Sequence, residues 1–215
     1  MLKAVLFDMD GTVLDTEPVN KRAWEETLIS KGYFFDDGFF EKCIGLNYPS
    51  MEVLYKNLFG SECLFTELSS EAHKIVDALD EKNGVAVKKG FFELSGYLKK
   101  RSIKSYIVTS SRRKTAEIRL GLAGILDCFD GIVGGDDVER GKPEPEPYQK
   151  AAELAGAAAD ECIAVEDSVN GIKSAFEAGI RCVFIKDLID LPDEISHMAH
   201  RLNSLDELVN FIQTD

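Results

Sequence analysis

Leu2-Lys3-Ala4-Val5-Leu6-Phe7-Asp8-Met9-Asp10-Gly11-Thr12 is the stretch from which the fold follows. Its first six residues are almost continuously apolar, the pattern of a strand buried on both faces. Two carboxylates appear as the strand gives out, and a glycine follows that permits a tight turn. Strand side chains alternate faces, so Asp8 and Asp10 converge only if the backbone turns between or just after them. Paired acids at the carboxyl end of a strand suit the site of an open α/β sheet. Asp and Gly ending a strand are also ordinary turn formers, so the rest of the chain has to decide.

Working outward, residues 19–29 carry Val19, Ala23, Trp24, Leu28 and Ile29 at helical spacing, behind Pro18 in a first turn. Further helices are predicted over 39–43, over a stretch capped by Ser50 that runs to 58, and over 66–82. Residues 17–84 therefore read as all-helical. Beyond them the pattern alternates. Strands are predicted at 103–109, 131–135, 162–165 and 182–185, and helices at 90–101, 112–122, 147–155, 170–178 and 205–212. Alternation of this kind implies right-handed βαβ units and a parallel sheet. The expected architecture is α/β, a Rossmann-like parallel-sheet core of residues 1–16 and 85–215, with an inserted all-helical cap domain at 17–84.

Composition limits the function. The 215 residues suffice for one core and a smaller accessory domain. A formal net charge of −13 argues against a nucleic-acid partner. No apolar run approaches the roughly 20 residues that cross a bilayer, and the first strand begins without a signal segment. A cytoplasmic monomer with no membrane partner is expected. The five cysteines are odd in number and form no C-x-x-C pair, so reduced thiols are expected rather than disulfides or zinc ligands.

Four strand ends carry polar residues: Asp8 and Asp10, Thr109-Ser110-Ser111, Asp136-Asp137, and Glu166-Asp167. In one parallel sheet these ends share an edge, and several acids meeting there need a cation. A hard divalent ion with oxygen ligands, Mg²⁺ above all, answers that need. Phosphate monoesters require up to about 10²¹-fold acceleration, and a nucleophilic carboxylate divides the transfer into two steps.

The run Asp8-Met9-Asp10-Gly11-Thr12-Val13-Leu14-Asp15-Thr16, then Thr109-Ser110, Lys142-Pro143-Glu144-Pro145, and Glu166-Asp167-Ser168 with Gly171-Ile172, closely resembles the haloacid dehalogenase superfamily in order and spacing. The resemblance implies that Asp8 is nucleophile and metal ligand. It makes Asp10 the general acid/base, with its carbonyl on Mg²⁺. Thr109 and Lys142 bind phosphoryl oxygens, Asp167 completes the metal site, and Glu166 joins it directly or through another group. The branch with this cap position is the β-phosphoglucomutase and small-metabolite phosphatase group. Substrate contacts are expected from Thr16, from Asn47 and Tyr48 in the cap loop, and from Ser110, Ser111 and Arg112. Asn20 stands where the mutase branch has histidine and Tyr48 where it has arginine, and its cap lysine has no clear counterpart. A Mg²⁺-dependent phosphatase of a small phosphorylated metabolite, such as a sugar phosphate, is therefore expected. A β-phosphoglucomutase-type isomerase and a catalytically silent binding protein are the alternatives.

Overall fold

The computed structural model describes residues 1–44, 46, 48–188 and 190–214. The chain divides into two compact units, one of Met1–Asp15 with Val85–Asp215 and one of Thr16–Gly84.

The larger unit holds a six-stranded sheet made of β1 (Ala4–Phe7), β2 (Lys104–Val108), β3 (Gly131–Val133), β4 (Cys162–Glu166), β5 (Arg181–Ile185) and β6 (Ala199–Leu202). Their order is β3-β2-β1-β4-β5-β6, and every neighbouring pair is parallel. The unit's helices are α5 (Phe91–Lys100), α6 (Arg113–Leu122), α7 (Glu146–Ala155), α8 (Val169–Glu177) and α9 (Glu207–Thr214). Strand alternation gives the sheet two apolar faces. Val5 and Phe7 point to one, packed with Phe91, Leu94, Leu120 and Leu208. Ala4 and Leu6 point to the other, against Tyr148, Ala151, Ile172 and Ala175. Each large side chain so buried contributes about 1.5–3 kcal/mol. β1 is paired on one side with β2 and on the other with β4, so the winding reverses there. The crevice beyond such a reversal is where open α/β sheets place their ligands.

The smaller unit contains α1 (Glu17–Ser30), α2 (Asp37–Cys43), α3 (Tyr48–Phe59) and α4 (Phe65–Asn83), with no strand among its described residues. Its core is aromatic. Trp24 stacks on Phe65 at 5.9 Å, and Tyr55 lies against Phe39, Phe59 and Phe65. Asp36 caps α2 by accepting from the Phe39 N–H at 2.7 Å.

Two expectations are corrected. Ser50 does not cap the third helix, because α3 begins at Tyr48 and takes Pro49 into its first turn. Proline is tolerated there, since that N–H has no intrahelical partner. The sheet also has a sixth strand, β6, where the sequence shows no apolar alternation; its residues are only part-buried or exposed at the sheet edge. All five cysteines are free thiols, and burial pushes Cys43 and Cys162 up to about 11. No helix among the described residues is long and apolar enough to cross a membrane.

Candidate active site

The acids at the end of β1 owe their position to the turn that follows. The Asp8 N–H still donates to the Val165 carbonyl of β4, so this residue remains in strand register. Gly11 then adopts φ +83°, which an L side chain rarely accepts, and a Cβ there would collide with Asp167 Oδ2. Gly11 thus lets the β1 loop and the β4 end approach closely. Thr12, fully buried, donates from Oγ1 to Asp167 Oδ1 at 3.1 Å and secures the same junction.

Lys142 is the cationic centre. It is buried, and its Nζ donates to Asp8 Oδ1 at 2.6 Å, to Glu166 Oε1 at 2.5 Å and to the Val108 carbonyl at 2.8 Å. Glu166 has no exposed surface, and both its oxygens are engaged. Oε1 also accepts from the Tyr148 hydroxyl at 2.7 Å, while Oε2 accepts from Ser168 Oγ at 3.0 Å. Its carboxyl lies where a Cβ on Gly171 would be, which explains glycine at the start of α8. Burial, aided by the Glu166 and Asp10 charges, pushes Asp8 up to about 8 against the pull of Lys142. Burial alone would lower Lys142, but the Asp8 and Glu166 carboxylates together hold it above the ordinary ammonium range.

One carboxylate oxygen each from Asp8, Glu166 and Asp167 lies within 4.8 Å of the others. Three hard oxygen donors in one small space suit Mg²⁺, and with a single lysine among them the acids exceed the local positive charge.

Asp10 is turned toward α6. Its Oδ1 accepts from Arg119 Nη1 at 2.8 Å and its Oδ2 from Ser111 Oγ at 3.2 Å. Thr109 is buried at the end of β2, and its Oγ1 accepts from the Ser111 N–H at 3.1 Å. Of the other predicted contacts, Ser110 and Arg112 are exposed, and Arg112 stands just before α6. Thr16 is buried ahead of α1. Tyr48 is half-exposed, with its ring 4.9 Å from that of Phe65. Asn47 and Gly45 lie outside the described residues. Asp136 and Asp137 anchor the start of α6: Asp136 accepts from the Arg113 N–H and Asp137 pairs with the Arg113 guanidinium at 2.7 Å.

Sequence reasoning assigned no role to Thr12, Tyr148 and Arg119. A signal existed for Arg119, which shares a helix face with Ala116 and Leu120 and is buried with them.

The sequence profile of the haloacid dehalogenase-like hydrolases matches residues 5–185, and the chain belongs to that family. It is 33% identical over 185 residues to validoxylamine A 7'-phosphate phosphatase from Streptomyces hygroscopicus subsp. limoneus, covering 85% of each protein. It is 30% identical to a phosphorylated carbohydrates phosphatase from Thermotoga maritima, over 85% of this chain and 84% of that one. CbbY from Rhodobacter sphaeroides, solved in complex with phosphate, superposes with a TM-score of 0.82 at 25% identity, over 97% of this chain and 96% of that one. Within the family the chain is a hydrolase of the phosphatase kind.

Proposed function

We propose that the protein is a Mg²⁺-dependent phosphomonoester hydrolase of a small phosphorylated metabolite, a sugar phosphate by preference, working through an aspartyl-phosphate on Asp8. The observation that carries this reading is the buried Lys142 ion-paired to both Asp8 and Glu166, beside Asp167. Asp8, Asp167 and the Asp10 carbonyl would hold the ion, with Glu166 serving it indirectly because its oxygens already accept from Lys142, Tyr148 and Ser168. When bound, Mg²⁺ neutralises phosphoryl oxygens so that a carboxylate can approach an anion.

An Asp8 carboxylate oxygen attacks phosphorus in line, and the bond to the substrate's ester oxygen breaks. Asp10 gives that oxygen a proton and so releases an alcohol. Asp10, now a carboxylate, takes a proton from water as the water attacks phosphorus. The Asp8–phosphorus bond breaks, freeing inorganic phosphate. Lys142 and Thr109 bind the transferring oxygens, and Lys142 also keeps Asp8 oriented. Ser110, Ser111 and Arg112 are the proposed substrate contacts of the sheet unit, with Thr16, Asn47 and Tyr48 those of the helical unit; Ser111 also steadies Asp10. Residues 17–84 are proposed to select the substrate as a cap, and residues 1–16 with 85–215 to perform the chemistry. The relatives named for phosphorylated carbohydrates and for validoxylamine A 7'-phosphate support the substrate class. The absence of a membrane-crossing helix among the described residues and the charge of −13 accord with a cytoplasmic monomer.

The test is phosphate release across sugar phosphates, phosphoglycolate and nucleotides, with and without Mg²⁺, for the wild type and Asp8→Asn. Metal-dependent release abolished in the variant is expected. No release from any ester would favour a silent binding protein. With β-glucose 1-phosphate followed by ³¹P NMR, glucose 6-phosphate forming faster than free phosphate would replace the hydrolase by a mutase.

A further inference from the structure

We propose that Asp187, just beyond β5, is a positioning residue for the divalent ion, accepting through Oδ2 from a water of the ion's hydration. The inference rests on the metal reading above. The Asp187 side chain is only 10% exposed, and its Oδ1 accepts from Lys88 Nζ at 2.5 Å. Its Oδ2 is buried and has no partner among the described residues. Leaving a buried acceptor unsatisfied is costly, the more so when it is charged, so a donor belongs there.

Gly11 shows where that oxygen points. A Cβ on this glycine would lie 3.1 Å from Asp187 Oδ2 and would also collide with Asp167 Oδ2. The two carboxylate oxygens therefore border the same spot beside Gly11, which a side chain on residue 11 would fill. Two acidic oxygens facing each other repel unless a donor or cation stands between them. Mg²⁺ gives up its waters reluctantly and usually keeps several. A water bound to an ion on Asp167 would donate into this space and satisfy Asp187. Groups of this kind orient a metal site without touching the metal.

Lys88 makes the proposal testable by sign. It pins Asp187 and lies 3.6 Å from Asp15, yet it also brings a positive charge close enough to be felt by Asp167. If Asp187 serves the ion, deleting its charge weakens Mg²⁺ binding, whereas deleting the lysine does not. A merely structural ion pair would respond in the same direction from either side.

The experiment is isothermal titration of the chelator-treated full chain with Mg²⁺. Asp187→Asn is expected to bind about 10-fold more weakly than the wild type. Lys88→Met is expected to bind at least as tightly as the wild type. Lys88→Met/Asp187→Asn is expected to bind about 10-fold more weakly than Lys88→Met; this comparison carries the test if Asp187→Asn alone does not fold. Asp187→Asn binding within twofold of the wild type overturns the inference alone, as does Lys88→Met weakening in parallel with it. A wild type that takes up no Mg²⁺ overturns both this inference and the metal reading.

Discussion

Replacing Lys142 by Met should expose how far the site depends on one buried ammonium. Its contacts to Asp8 and Glu166, at 2.6 and 2.5 Å, each represent about 6 kcal/mol of gross attraction at an effective dielectric of about 20. Much of that is offset by removing three charges from water, so the net value of the cluster is far smaller. The variant, however, keeps the desolvation and loses the attraction. Asp8 and Glu166 then face each other in a region where Glu166 has no exposed surface. Breaking a buried pair in this way costs about 3–5 kcal/mol. For a chain of this size that corresponds to a melting point about 6–20 °C lower. Urea and thermal unfolding in chelator, above about pH 8 where Asp8 is a carboxylate, would measure it. Adding Glu166→Gln to Lys142→Met should recover part of the loss, because it removes one of the two orphaned charges, without restoring phosphate release. A Lys142→Met protein as stable as the wild type, or no recovery in the double variant, would refute the reasoning.

The pH dependence should be unusual without metal. Asp8 ionises at about 8 in the fold against an ordinary 3.8, so between those values the folded chain binds a proton that the unfolded chain has released. Stability should then fall as pH rises from about 4 to 8, and Mg²⁺ should raise the melting point most at the upper end; a metal-free protein that grows more stable across this window would contradict the assignment. Below about 4 the slope should reverse, because Arg201 and Lys186 hold the Asp190 carboxyl low, and backbone donors do the same for Glu146. Arg119→Met should lower kcat/KM for alkyl phosphates by about 10-fold or more and for p-nitrophenyl phosphate much less, since only the alkoxide needs the proton of a well-oriented Asp10; equal losses on both would leave Arg119 a structural residue. Gly171→Ala should destabilise the chain by about 1–3 kcal/mol in chemical denaturation, since its methyl would overlap the Glu166 carboxyl; a neutral substitution would mean that Glu166 moves freely.

Most of the fold was legible because its signals are local. The central strands are buried on both faces and read as apolar runs, and the helices of residues 17–84 carry a 3.6-residue period. β6 escaped because an edge strand is half solvated and needs no alternation. The start of α3 was displaced because Pro49 reads as a breaker when it is in fact compatible with a first turn. In the site, acids at strand ends were visible, since topology brings such ends to one edge. The engagement of Asp10 with Arg119 was not, for it joins residues 109 apart. Nor was Tyr148, whose hydroxyl meets Glu166 only once α7 packs on the sheet over β1 and β2. Periodicity marks which side of a helix is buried but not what waits across the interface.

The sheet order has a consequence for how the chain is made. Ala4 must pair with Lys104 on one side and with Cys162 on the other, so β1 leaves the ribosome long before either neighbour exists. At about 5–20 residues per second that wait is on the order of several seconds to half a minute. Residues 16–84 emerge meanwhile as an unbroken stretch with an aromatic core of their own, able to consolidate first. Synthesis arrested before residue 104 should therefore yield a folded helical lobe trailing an apolar, unpartnered N-terminal segment. During translation that segment is the part of the molecule most in need of a chaperone.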